Sequence, residues 1–128
     1  MRSTNSPVQK LIISNSDYIH VVQFDEIVFC QSDGCYTHIN LHNGQKHTLA
    51  KSLSKICMQL SSSQFIRISQ TYLINKTFVN KIDRKKKNLY LLDRTIVPFT
   101  ISLKNLMELI SDSIHPKIAL TDADNGWK

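Results

Sequence analysis

Glu26-Ile27-Val28-Phe29-Cys30-Gln31-Ser32-Asp33-Gly34-Cys35-Tyr36-Thr37-His38-Ile39-Asn40-Leu41-His42-Asn43-Gly44-Gln45-Lys46-His47-Thr48-Leu49 reads as three strands joined by two turns. Glu26 to Gln31 is rich in β-branched and aromatic residues, which suit a pleated, half-buried backbone. Asp33-Gly34 marks a turn, and Tyr36 to Leu41 then alternates like a strand with one face in a core. Asn43-Gly44 separates that strand from Lys46 to Leu49. Both of its residues tolerate positive φ, so a type I′ hairpin is expected there.

The pattern continues outward in both directions. Upstream, Leu11 to Ile13 and Tyr18 to Val22 flank the turn-like Ser14-Asn15-Ser16-Asp17. Downstream, Leu53, Ile56, Cys57 and Leu60 recur at helical spacing behind Ser52, a suitable N-cap, and Ser61-Ser62-Ser63 ends that helix. Strands resume at Phe65 to Ile68, Tyr72 to Ile74, Phe78 to Ile82, Leu89 to Leu92 and Ile96 to Phe99. Pro98 lacks a donor for a ladder, so the last of these belongs at an edge. A second helix follows, with Leu103, Leu106, Met107, Ile110 and Ile114 on one face, Ser102 as its cap and Pro116 as its stop. The coarse reading is a mainly β body with two short helices. Residues 1–9 are expected to be disordered, 10–116 to form the domain, and 117–128 to be a polar, frayed tail.

Composition narrows the function classes. A chain of 128 residues with 41 % hydrophobic and 20 % charged residues has room for one core and is too apolar for a disordered segment. No apolar run approaches membrane-spanning length, and the polar start lacks a secretory h-region. Cys30, Cys35 and Cys57 are an odd set, expected as reduced thiols in a cytoplasm. The formal net charge is +6, yet residues 64–104 alone carry +7, leaving −1 for the rest. One electropositive face aimed at a polyanion explains this, and so does a well-solvated surface. Charge alone does not separate DNA from RNA or an anionic membrane.

Catalytic and metal motifs are not in evidence. Cys30, Cys35 and His38 lack a fourth ligand for zinc. His42 and His47 flank Asn43-Gly44 and could approach each other across a hairpin, more in keeping with solvent exposure than catalysis. No phosphate loop, nucleophile elbow or carboxylate pair occurs, and with three glycines none is expected. Neither an enzyme, a cofactor nor a small-molecule substrate is therefore expected.

Three stretches carry a family resemblance: Ile27 to Thr37 with its Asp-Gly turn and Tyr-Thr; Phe65-Ile66-Arg67-Ile68-Ser69-Gln70-Thr71-Tyr72-Leu73-Ile74-Asn75 with Val79 and Ile82 behind it; and Ile96-Val97-Pro98. In this order and spacing the chain resembles the LytTR family of bacterial DNA-binding domains. The resemblance implies an elongated stack of mostly antiparallel sheets with two short helices. It also implies loops, rather than a recognition helix, that enter successive major grooves on one side of a bent duplex. Such domains usually follow a phosphorylated receiver in two-component response regulators. None precedes this one, so a stand-alone regulator or an output domain is expected, with a second copy on a paired half-site left open.

On that reading the DNA contacts fall to Thr37, Arg67, Ser69, Gln70, Thr71, Asn75, Lys76, Arg84, Lys85, Lys86 and Lys104. Arg67 offers a fork of donors suited to guanine or phosphate, and Gln70 can pair with adenine. Ser69 and Thr71 offer hydroxyls, while Lys76, Lys81 and the Arg84-Lys85-Lys86-Lys87 run suit phosphates. Asn75 could do likewise or fix its own turn, and the basic run could equally be a solvated hairpin tip. Ser69 stands where the family usually has His, and Gln70 where a basic residue or Asn is common. Thr100-Ile101-Ser102 replaces a Ser-Arg-Arg-like run, so an Arg contact is lost at Ile101 that Lys104 partly replaces. These departures keep open a β-rich protein-interaction module with reduced or lost DNA readout.

Overall fold

The computed structural model describes residues 9–111, and among these the strands form three antiparallel sheets around two cores. β1 (Lys10–Ser14) and β2 (Ile19–Gln23) make a hairpin. β3 (Ile27–Asp33), β4 (Tyr36–Leu41), β5 (Lys46–Leu49), β6 (Phe65–Arg67) and β7 (Tyr72–Asn75) form a central sheet in the order β5-β4-β3-β7-β6. β8 (Val79–Asp83), β9 (Asn88–Leu91) and β10 (Ile96–Pro98) form the third sheet, with β10 outermost and its Pro98 on an edge strand. The mainly β, layered architecture expected from the sequence is the one observed.

Alternation along β6 and β7 explains why the central sheet has a core on each face. Phe65 and Leu73 point into the first core with Leu11, Val22, Ile39 and the helix α1 (Leu53–Gln59). Ile66 and Ile74 point into the second core with Leu89, Val97, Phe99 and Leu106 of α2 (Leu103–Ser111). A bulge between Ile27 and Phe29 corrects the phase of β3. It lets Ile27 and Cys30, three positions apart, share the first core while Val28 takes the second. Burying each such side chain contributes about 1.5–3 kcal/mol. Both faces of the central sheet are thus committed to packing, and its margins are what remain for a ligand.

Both helix caps form as expected. Ser52 Oγ accepts from Lys55 N at 3.2 Å, and Ser102 Oγ accepts from Asn105 N at 3.1 Å. Ile114, Pro116 and the expected terminal segments, Gln9 apart, lie outside the described residues. No described helix is long and apolar enough to cross a membrane.

The second hairpin departs from expectation. Its loop has three residues, with Leu41 N bonded to Gln45 O, and only Gly44 adopts positive φ (92°). Asn43 keeps negative φ because its Oδ1 accepts from Gln45 N at 2.9 Å, an Asx arrangement that a type I′ turn would forfeit. His42 and His47 consequently part company: His42 rests near Phe78, and His47 stacks on His20 of β2 at 4.7 Å between ring centroids.

Candidate nucleic-acid interface

Four loops meet at one margin of the central sheet, tied by backbone hydrogen bonds. Ser32 N, at the end of β3, donates to Thr71 O in the β6–β7 loop at 2.8 Å. Thr100 N donates to Ile68 O of that same loop at 2.9 Å, and its neighbour Phe99 N donates to Lys87 O in the β8–β9 turn at 3.0 Å. The β3–β4 turn, the β6–β7 loop, the segment before α2 and the basic β8–β9 turn are thereby contiguous.

Each loop has its own local cause. Gly34, at φ 62°, occupies the first central position of the two-residue β3–β4 turn, where a II′ turn demands it. Beside it Tyr36 is exposed, and Asp33 contacts His38 Nε2 at 2.9 Å. In the β6–β7 loop, Ser69 Oγ accepts from Thr71 N and Tyr72 N at 3.1 and 3.0 Å. In the β8–β9 turn, Asp83 Oδ1 accepts from Lys86 N at 3.0 Å, and Lys87 adopts φ 57° with its Nζ 5.1 Å from the centre of the Phe99 ring. That clamp leaves Arg84, Lys85 and Lys86 exposed.

Arg67 is turned inward on its own loop. Nε donates to Ser69 O and Nη2 to Gln70 O, both at 2.8 Å, and Nη1 lies 3.5 Å from Ser54 Oγ. Half-buried and with its fork largely occupied, it braces the turn it was expected to extend from. Gln70 differs: its side chain is exposed and forms no hydrogen bond with a described residue. Together Arg67, Ser69, Gln70, Thr100 and Ile101 line a shallow depression of about 290 Å³.

Ser69, Gln70, Thr71, Arg84, Lys85 and Lys86 are thus gathered at the margin with Arg67 behind them. Lys104 joins them from the first turn of α2, exposed. The helix dipole disfavours a cation at that position, so helix stability does not account for it.

Three residues expected at the DNA are hydrogen-bonded within the fold. Thr37 is fully buried and donates from Oγ1 to Lys51 O at 2.7 Å. Asn75 is likewise buried; its Oδ1 accepts from Thr77 N and its Nδ2 donates to Ile27 O at 2.9 Å, so the turn-fixing alternative is the one realised. Lys76 follows it at the far end of β7 and donates to Leu109 O at 3.0 Å, near the C-terminus of α2. Lys81 stands over the Tyr90 ring at 4.9 Å. Conversely, sequence reasoning did not single out Tyr36 or Thr100 as margin residues. Nothing in their identity distinguishes them: the Ser32–Thr71 bond brings the turn of Tyr36 to the margin, and the Thr100–Ile68 bond brings Thr100.

Cys30 is fully buried in the first core and offers no activated nucleophile. Burial, and secondarily Cys57, pushes the Cys30 thiol up to about 12. Among the described residues no three His, Cys, Asp or Glu side chains converge as a metal site would require.

A layered antiparallel β domain with cation-rich loops along one margin is the class these features define. The model of the LytTr DNA-binding domain matches residues 17–111, and the chain belongs to that family. Among solved structures, a LytTr DNA-binding domain from Bacillus cereus is similar, with a TM-score of 0.67 at 18 % identity over 82 % of this chain and 98 % of that one. At that identity the likeness concerns the fold. No curated protein matches the chain.

Proposed function

We propose that the chain binds double-stranded DNA in a sequence-specific manner, as a transcription regulator or the output domain of one. Its margin loops would enter successive major grooves from one side. The observation that carries this reading is the bonding of the β6–β7 loop, the segment before α2 and the basic turn into one continuous edge. Arg84, Lys85, Lys86 and Lys104 serve phosphates, which set affinity and register without reading sequence. Gln70, Thr71, Thr100 and Ile101 face the bases. Arg67 and Ser69 hold the loop in shape, and a second copy can occupy an adjacent half-site.

Selection from random duplex DNA, followed by titration against salt, tests this. The expected result is an enriched motif. It includes a log–log salt slope of roughly −3 to −4 if each of those four cations meets one phosphate. Equal binding to every duplex would contradict it.

A protein-interaction reading draws on a different region. The outer face of the β1–β2 hairpin exposes Ile12, Tyr18, Ile19 and Val21. A selection that enriches nothing would favour that reading.

A further inference from the structure

We infer that the depression between the β6–β7 loop and the segment before α2 reads one adenine–thymine base pair. Gln70 takes the adenine edge and Ile101 takes the thymine methyl group. This rests on the DNA-binding reading above and goes beyond it by naming the ligand.

The donors present at this spot decide the matter. Guanine is read in the major groove chiefly by Arg or Lys donating to its two acceptors. The one cation lining the depression is Arg67, and its Nε and Nη2 already donate to Ser69 O and Gln70 O. Those two bonds hold the half-buried Arg67 side chain back against its own loop, whereas the Gln70 side chain is exposed. Gln70 is the lining side chain with a vacant amide, able to donate to and accept from one partner at once. Adenine presents that donor–acceptor pair in the major groove.

The opposite wall is apolar. Ile101 packs partly against the second core and leaves the rest of its side chain facing the depression. Thymine is the base that presents a methyl group in the major groove, beside the adenine edge of the same pair. The backbones of the two walls are tied together, because Ile68 O accepts from both Thr100 N and Ile101 N, at 2.9 and 3.4 Å. A bidentate polar contact and an apolar one therefore face a base pair that displays both.

Replacing thymine by deoxyuridine removes that methyl and nothing else. The wild-type chain would be titrated by fluorescence anisotropy against its selected duplex, with each thymine changed in turn to deoxyuridine. One position is expected to weaken binding about fourfold, the worth of a single methyl contact. In Ile101→Ala the thymine and deoxyuridine duplexes should bind alike. Gln70→Ala should lose its preference for the adenine of that same pair. Ile101→Val, which keeps a β-branched side chain, should retain part of the discrimination and controls for loss of folding. Methyl-insensitive binding at every position, or a guanine preferred at the pair Gln70 governs, would overturn the inference while leaving DNA binding intact. A wild-type chain that selects no motif would overturn both.

Discussion

The two ends of β7 look alike in sequence and behave in opposite ways. At one end Ser69-Gln70-Thr71 forms a loop whose backbone is held by Arg67, Ser32 and Thr100 while the Gln70 side chain stays outside. At the other end the Asn75 side chain is fully buried and spends its amide on Phe24, Ile27 and Thr77. Both ends carry polar residues of the type that contacts DNA. The difference lies in whether backbone or side chain is doing the holding. Where a neighbouring guanidinium supports the backbone, the tip side chain is available to a ligand. Where the side chain itself is the support, it is lost to one.

This contrast is open to direct attack, most severely at Asn75. Asn75→Ala should destabilise the fold by about 2–3 kcal/mol, because buried backbone groups lose their partners. Chemical denaturation measures it, and the folded fraction should keep its sequence preference. A change in preference without a change in stability would reverse the roles of the two ends.

Gln70→Ala should do the opposite. Stability should move by less than about 0.5 kcal/mol, as for an exposed site. Discrimination against the wrong base should fall by about 1–3 kcal/mol, measured by competition between the selected and a mutated duplex. If Gln70→Ala binds all duplexes with unchanged ratios, the loop does not read.

Lys86→Ala separates the basic turn from the reading loop. It should weaken binding to every duplex about evenly and lower the salt slope by roughly one. A loss confined to one sequence would assign Lys86 to a base.

The smallest effect lies away from both ends, where His47 stacks on His20. Partial burial, and then His20, holds His47 below its ordinary value of 6.5. The unfolded chain therefore takes up the proton first. The stability tied to neutral His47 is complete above about pH 6.5 and is lost as pH falls through the lower folded value. Thermal melts between pH 7.5 and 5 should show this fall, and His47→Gln should flatten it. An unchanged slope in the variant would remove His47 from the account.

Most of the fold was legible because periodicity and capping report on burial directly. The alternation in Phe65-Ile66 and Leu73-Ile74, Ser52 and Ser102 as caps, and Pro98 at an edge each follow from residue type and spacing alone. The site was legible in part. A run such as Arg84-Lys85-Lys86 must be exposed, since burying it would strand several charges. The burial of Thr37, and the tie from Asn75 to a strand far from its own turn, were not legible because a single polar residue satisfied by carbonyls distant in sequence, at Lys51 or Ile27, leaves no local trace. The bonds by which Arg67 braces its loop were illegible for the same reason, its acceptors being carbonyls that any sequence would supply. The Asn43-Gly44 turn failed by one residue of loop length, which the dipeptide does not encode.

The central claim concerns which surface meets the duplex, and backbone amide shifts on adding the selected DNA test it most directly. Perturbations should concentrate at residues 33–36, 68–71, 84–87 and 99–104, with Asn75, Lys76 and the outer face of the β1–β2 hairpin unmoved. Shifts centred on that hairpin or on the Asn75 end of β7, with the loop margin silent, would contradict it.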